Sequence, residues 1–189
     1  QLLSDLATAI AARGYAVEVV TTRTSAADSR SESRSGVHIH RGRTTHCGAH
    51  GLAGRALDFA SFAMSAFWHL LWRARPGDIV VAMTDPPLLG VVVCGAARLR
   101  RAKIVHWIQD IYPEVAAELT GRRSLLLLRP LRNWSWRRAG ACVVPGRDMA
   151  AAVTSSGVAP AKLHVSPNWA PCGLEPARQE QIAALREKW

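Results

Sequence analysis

Three short polar segments follow apolar runs in this chain, and each is rich in side chains that donate or accept hydrogen bonds. The segments are Thr84-Asp85-Pro86-Pro87, Gln109-Asp110-Ile111-Tyr112-Pro113-Glu114 and Pro167-Asn168-Trp169. The runs before them, 78–83, 103–108 and 162–166, are apolar stretches typical of buried strands. Because ligands of open parallel sheets bind beyond the carboxyl ends of the strands, the three segments predict one working edge of a sheet.

The elements that must position these segments alternate between strand and helix. Strand patterns fall at 15–22, 36–41, 78–83, 103–108, 141–144 and 162–166, and helix patterns fall at 2–10, 57–73, 88–100, 115–119, 124–138 and 147–156. The polar stretch 24–35 is interpreted as a loop, and the Gly-rich stretch 46–54 as a mobile connection. The alternation predicts an α/β fold with a doubly wound, mostly parallel, Rossmann-like sheet that helices cover on both faces.

The composition indicates a globular protein with an anionic partner. Of the 189 residues, 49% are hydrophobic and 20% are charged, and the formal net charge is +10. Arg supplies nearly all of the positive charge. Such an excess of basic residues suits nucleic acid, a phosphorylated ligand or an acidic lipid surface as the partner. The longest apolar stretch, 57–72, contains an Asp and is shorter than the ~20 residues of a membrane-spanning helix, so an integral membrane protein is not predicted.

The four cysteines are widely separated and form no Cys-x-x-Cys pair. They are Cys47, Cys94, Cys142 and Cys172. Such spacing predicts a reduced, cytoplasmic protein without disulfides. His38 and His40 share one face of a strand but lack a third ligand at metal-binding spacing, so no metal site is predicted. His106 lies inside a strand and is interpreted as a core histidine.

Both ends of the chain have the pattern of a piece cut from a larger protein. There is no Met at position 1, and residues 2–10 already repeat apolar side chains at helical spacing. A doubly wound domain normally opens with a strand, so we expect an opening strand and its loop to be missing. We also expect residues 179–189 to form a polar helix with nothing after it to pack on.

Four longer motifs contain these strands and the segments that follow them. In chain order they read DIVVAMTDPPLLG, KIVHWIQDIYPE, RRAGACVVPGRDM and KLHVSPNW. This order resembles the N-terminal half of the family 4 retaining glycosyltransferases, over a region from about Leu3 to Trp169. The subgroup that it resembles most contains bacterial enzymes of capsule, O-antigen and colanic-acid assembly.

The resemblance implies a GT-B architecture, in which two Rossmann-like domains face each other across a cleft. Residues 1–169 are then the acceptor-binding domain, and residues 170–189 are a linker to a C-terminal domain that binds the nucleotide sugar. The chain lacks that domain's Glu-x7-Glu motif and the family's Gly-rich loop after the first strand, so we expect it to be inactive alone. The implied partners are a nucleotide sugar and a lipid-linked or other glycan acceptor, with no cofactor, no metal and no nucleic acid. The implied location is the cytoplasm, including the inner face of the plasma membrane.

The resemblance places the catalytic role on Asp110, whose carboxylate at the cleft can bind a sugar hydroxyl or orient the acceptor. Many relatives have His-Asp at this place, whereas this chain has Gln109-Asp110, and a Gln cannot act as a general base. A second role for Asp110, as the cap of the following helix, is left open by the sequence. The residues predicted to bind substrate are Thr84, Asp85, Gln109, Tyr112, Glu114, Asn168 and Trp169.

Structural roles compete with several of these assignments. Thr84 or Asp85 can cap the helix that follows the first segment, and Glu114 can satisfy the dipole in the first turn of its helix. Trp169 either shapes the hinge and the cleft floor or simply packs in the core.

A basic stretch containing two Trp residues, 122–138, is the other informative feature. Arg and Trp together on an amphipathic helix suit an anionic membrane interface. The residues predicted to contact the membrane are Arg129, Arg132, Trp134, Trp136, Arg137 and Arg138. The apolar helix at 57–72 could add an apolar face to this contact, although core packing against the sheet is the favoured interpretation of that helix. For the basic helix, the alternative is an ordinary solvated face.

Two other functions are open at this point. One is a basic nucleic-acid-binding module, which the Arg and Trp content suits although the chain contains no recognition motif. The other is half of a GT-B sugar-nucleotide epimerase, which has the same architecture.

Overall fold

A computed structural model describes residues 1–23, 28–47, 51–170 and 179–188. Its α-helices are α1 (Leu2–Ala11), α2 (Gly51–Arg73), α3 (Leu89–Leu99), α4 (Glu114–Thr120), α5 (Arg129–Arg138), α6 (Arg147–Ser155) and α7 (Gln179–Lys188). Its strands are β1 (Val17–Thr22), β2 (Ser31–Arg34), β3 (Val37–Gly42), β4 (Ile79–Met83), β5 (Lys103–Trp107), β6 (Ala141–Val144) and β7 (Leu163–Val165). Two short 3-10 helices cover Arg123–Leu128 and Pro160–Lys162.

The strands form two sheets. The larger sheet has the order β4-β5-β6-β7, and every neighbouring pair in it is parallel. The smaller sheet has the order β1-β3-β2, in which β1 and β3 are parallel and β2 is antiparallel. Since the strands of the larger sheet all run the same way, their carboxyl ends share one edge, which we call the carboxyl edge. The predicted α/β fold with a Rossmann-like parallel sheet and flanking helices is therefore confirmed.

The core lies on the larger sheet. Ile108 and Val144, at the carboxyl ends of β5 and β6, are fully buried with Val153 of α6. The free thiols of Cys94 and Cys142 are buried in the same cluster, and burial raises the pKa of Cys142 to about 11. A thiol of that kind stays protonated and unreactive at neutral pH, as expected of a structural cysteine. Cys172 lies outside the described residues.

Two stretches predicted to be irregular contain regular structure. The predicted loop 24–35 includes β2, which pairs with β3 and is fixed by an ion pair of 2.8 Å between Glu32 and Arg41. A polar edge strand has no apolar pattern to reveal it, because solvent covers its outer side. Helix α2 begins at Gly51, so residues 51–54 of the predicted mobile stretch are helical, while residues 24–27 and 48–50 lie outside the described part.

The stretch 124–138, predicted to be one helix, divides in two. A 3-10 helix ends at Leu128 and α5 begins at Arg129, with Pro130 in its first turn. Pro has no N–H to continue the hydrogen bonding of a preceding helix, and it is well tolerated only in a first turn. None of the helices that the structure describes is long and apolar enough to cross a membrane.

Candidate functional site

The three polar segments meet at the carboxyl edge through hydrogen bonds. The Thr84 hydroxyl, beyond β4, accepts from the backbone N–H groups of Gln109 (3.2 Å) and Asp110 (3.3 Å), which follow β5. The Asn168 amide, beyond β7, donates to the Gln109 side-chain oxygen at 2.8 Å. The segments are thus neighbours in space, although Gln109 and Asn168 are 59 positions apart in sequence. We call the three segments together the rim.

Trp169 extends this rim towards the first helix. Its ring stacks on Trp107 at the end of β5, with centroids 5.8 Å apart and planes at 25°. Its indole Nε1 donates to Asp5 Oδ2 of α1 at 3.1 Å. Since Trp169 is 38% exposed, it lies at the surface and not in the core.

Asp110 is exposed at a small cavity of about 30 Å³ beneath the rim. The cavity can hold a water molecule. Helix α4 has Pro113 as its N-cap residue and no side-chain cap, so Asp110 does not cap it. Among the described residues none donates a hydrogen bond to the Asp110 carboxylate, which leaves that carboxylate open to a ligand.

Tyr112 lies close to two carboxylates at this rim. Burial raises the pKa of its hydroxyl, and the negative charges of Asp110 and Asp85 raise it further. Tyr112 therefore keeps its proton at neutral pH and is a hydrogen-bond donor beside two acceptors. That combination suits a ligand with several hydroxyl groups, each of which both donates and accepts.

The turn after β4 holds the rim together and does not cap its helix. Helix α3 has Leu88 as its N-cap residue without a side-chain cap, so neither Thr84 nor Asp85 fills that role. Leu88 has a φ of 63°, a left-handed conformation that is strained for a branched side chain, and it lines the cavity. Strain of this kind tends to persist at functional sites.

Glu114 is occupied by two arginines. Its carboxylate accepts from Arg129 Nε (2.8 Å) and from Arg132 Nη2 (2.9 Å), while Arg132 Nη1 also donates to the Tyr112 carbonyl at 3.1 Å. The prediction that Glu114 binds acceptor hydroxyls is therefore replaced by a structural role: the residue ties α4 to α5. This network fixes the loop that carries Asp110 and Tyr112.

Two of the residues predicted to contact a membrane are buried. Arg132 is 5% exposed and Trp136 is 3% exposed, with the guanidinium carbon 4.0 Å from the centroid of the indole ring. For these two the prediction was wrong, because α5 turns them towards the sheet and the Tyr112 loop. Trp134 is half-buried and packs against the core, whereas Arg129, Arg137 and Arg138 are exposed.

His106 is a core histidine, as predicted, and it forms one wall of the cavity. It is 4% exposed, and its Nε2 atom has no hydrogen-bond partner among the described residues. Burial lowers the pKa of its ring to about 4, and a hydrogen bond with the Ser135 backbone only partly offsets this effect. The ring is therefore neutral near pH 7.

This buried ring makes the protein less stable in mild acid. The His106 ring takes up a proton near pH 6.5 in the unfolded chain, but only near pH 4 in the folded protein. The contribution of His106 is thus fully present above pH 6.5 and is lost as the pH falls to 4, by about 3 kcal/mol in all. We expect His106→Phe to flatten the pH dependence of urea unfolding in this window by that amount. Parallel profiles for the wild type and the variant would contradict the assignment.

Position 90 must be Gly because the His106 ring leaves no room for a side chain there. A Cβ built at Gly90 would lie 2.4 Å from His106 Cε1, whereas one at Gly95, in the same helix, would meet nothing nearer than 3.8 Å. We expect Gly90→Ala to lower the free energy of unfolding by about 1–3 kcal/mol, because the ring or the helix must move. Gly95→Ala is the matched control and should be neutral or slightly stabilising. Equal unfolding midpoints for the two variants would mean that the contact is loose.

Sequence reasoning missed three residues that shape the site: Asp5, Trp107 and Arg132 as a positioning residue. Asp5 is 164 positions from Trp169, and no local pattern announces that contact. Arg132 and Trp136 do have the i, i+4 spacing at which side chains of a helix meet, which was a usable signal. The described residues include no group of three or more His, Cys, Asp or Glu side chains that could hold a metal ion.

The sequence is similar to those of known glycosyltransferases. Residues 2–169 match the family described as Glycosyl transferase 4-like domain. The chain is also similar to the Probable glycosyltransferase WbjE of Pseudomonas aeruginosa, with 35% identity over 124 residues, 62% of this chain. The match covers only 30% of that relative's length.

Proposed function

The chain belongs to the glycosyl transferase 4-like family, and on this basis we propose that it forms the acceptor-binding part of an enzyme that transfers a sugar from a nucleotide-sugar donor to a glycan. The observation that carries the proposal is the continuous rim. Thr84, Gln109 and Asn168 are joined by hydrogen bonds, and Asp110, whose N–H bonds to Thr84, lines the cavity at this rim. Sites of this kind, at the carboxyl ends of parallel strands, are where open α/β sheets bind ligands.

The residues of the rim would bind an acceptor through different kinds of hydrogen bond. Asp110 and Asp85 accept hydrogen bonds from acceptor hydroxyls, and Tyr112 donates one. The Gln109 Nε2 atom, which is buried and has no partner among the described residues, is a donor that a bound ligand or water can satisfy. Because Gln109 cannot take up a proton, Asp110 is the only titratable group of this pair, and it orients the reacting hydroxyl.

The finer proposal concerns the substrates. A lipid-linked glycan acceptor in bacterial surface polysaccharide assembly, and transfer with retention, follow from the motif resemblance. The net charge of +10 supports an acceptor that carries phosphate. The proposal requires no metal ion, and the donor binds to a domain beyond this chain.

The test is sugar transfer by the full-length protein. The protein would be incubated with labelled nucleotide sugars, one at a time, and with bacterial lipid extracts, with and without EDTA. We expect label from one donor to move into the lipid phase equally in both conditions, and NMR of the product to show the donor's anomeric configuration. If the nucleotide sugar were consumed and the label appeared only as free sugar in the aqueous phase, the activity would be hydrolysis. If the label appeared only in an epimer of the donor, the epimerase alternative would be favoured.

A further inference from the structure

The outward side of α2 is apolar. Leu57, Met64, Trp68 and Trp72 recur at spacings of seven, four and four, and they are between 50% and 78% exposed. These intervals place them on one side of a helix. We call these four residues the outer face of α2. Scattered exposed apolar side chains are ordinary, but four on one side of a helix, two of them Trp, are typical of a contact surface.

This face is not a displaced part of the core, because α2 already packs through its other side. Phe62 and Ala66 are buried, and Phe67 lies against Gly95 of α3. A surface helix normally opposes its buried stripe with polar residues, whereas α2 is apolar on both sides. The outer face is therefore available to a partner outside the core.

Positive charge frames one end of this face. The C-terminal ends of α2 and α3 meet where Arg100 Nε donates to the Ala74 carbonyl at 2.8 Å. Around this junction the exposed basic side chains are Arg73, Arg75, Arg98 and Arg101. Trp72 and Leu99 are exposed beside them.

The acidic side chains near this end are already engaged. Glu18 pairs with His69 at 2.9 Å and approaches Arg73 at 3.6 Å, and Asp78 accepts from the Arg75 backbone N–H. An open groove of about 520 Å³ lies beside Trp68 and Trp72, and its walls include Arg73 and the Glu18 carboxylate that approaches it. The groove therefore offers room, while the positive charge at this end of the outer face comes mainly from Arg75, Arg98 and Arg101.

We propose that the outer face of α2 docks on an anionic lipid bilayer. Indole rings sit at the level of lipid head groups, and arginines beside them attract the negative surface of the membrane. A protein partner of equal apolarity would not require the arginines at the end of this face. This proposal moves the membrane contact away from α5, and it does not depend on the transfer reaction proposed above.

The test is sedimentation of the full-length protein with vesicles that contain phosphatidylglycerol, compared with vesicles of phosphatidylcholine alone. We expect binding to the anionic vesicles, weakened by salt. Trp68→Gln with Trp72→Gln should weaken it by about tenfold or more, because the rings no longer enter the interface. Arg73→Gln with Arg75→Gln should weaken it by about fivefold for each arginine.

Matched controls distinguish this surface from general charge and apolarity. Leu119→Gln removes an exposed apolar side chain of α4, and Arg137→Gln with Arg138→Gln removes two charges from α5; neither should change vesicle binding. Thermal unfolding of each variant checks that it is folded. Release by the α5 pair and not by the α2 pairs would overturn the proposal. Unchanged vesicle binding together with a dimer that the Trp variants dissociate would overturn it too, by assigning the outer face to a second copy.

Discussion

Replacing Asp110 by Asn should lower the rate of sugar transfer by about 100-fold or more while leaving the thermal unfolding midpoint unchanged. The carboxylate is exposed, caps no helix and accepts no hydrogen bond from the described residues, so the fold does not depend on its charge. The acceptor, however, loses the anionic oxygen that orients its hydroxyl. The measurement is kcat and KM for the acceptor in the full-length enzyme, with unfolding followed in parallel.

Asp148→Asn is the matched control, because Asp148 is also an exposed carboxylate in a segment that follows a strand of the larger sheet. It should leave the transfer rate within a few-fold of the wild type. A normal rate in Asp110→Asn, with a lowered unfolding midpoint, would show that Asp110 has only a structural role.

Replacing Arg132 by Met should lower the free energy of unfolding by about 2–4 kcal/mol. Arg132 is almost fully buried, and its loss leaves the Tyr112 carbonyl without its donor and the Glu114 carboxylate with Arg129 alone. The loop that carries Tyr112 is then less rigid, so acceptor KM should also rise. Urea unfolding and acceptor kinetics measure the two effects separately.

The control for this prediction shares the same carboxylate. Arg129 pairs with Glu114 from an exposed position, and Arg129→Met should cost less than about 1 kcal/mol because solvent screens the pair. If both variants lost the same amount, burial would not be the source of the stability. If neither changed acceptor KM, the network would not position the Tyr112 loop.

The sequence predicts the main elements because the strands of the larger sheet are buried on both faces and therefore read as continuous apolar runs. It also predicts the joint rim, since parallel strands bring every following segment to the same edge. β2 escaped prediction because its pattern is polar and its pairing with β3 is set by the fold. Pro130 explains why a new helix begins at Arg129, but the apolar residues on both sides of it made the stretch resemble one continuous helix.

Side-chain partners at the site are less predictable, because they depend on packing between distant segments. Glu114 has the residue type of a ligand-binding carboxylate, and only the position of α5 shows that two arginines occupy it. The same packing explains the error over Arg132 and Trp136, whose composition suits a membrane although the fold buries them. The outer face of α2 is the opposite case: its apolar residues have the composition of a core, but the fold leaves them exposed.

Carboxyl footprinting of the full-length enzyme tests the shared acceptor site at the rim most directly. A water-soluble carbodiimide with an amine labels exposed carboxylates, and mass spectrometry follows Asp85, Asp110 and Asp78 with and without saturating acceptor. Asp78 begins the opposite edge of the sheet, before β4, and serves as the internal control. We predict that the acceptor slows labelling of Asp85 and Asp110 together and leaves Asp78 unchanged. Undiminished labelling of Asp110 under saturating acceptor would contradict an acceptor site at this rim.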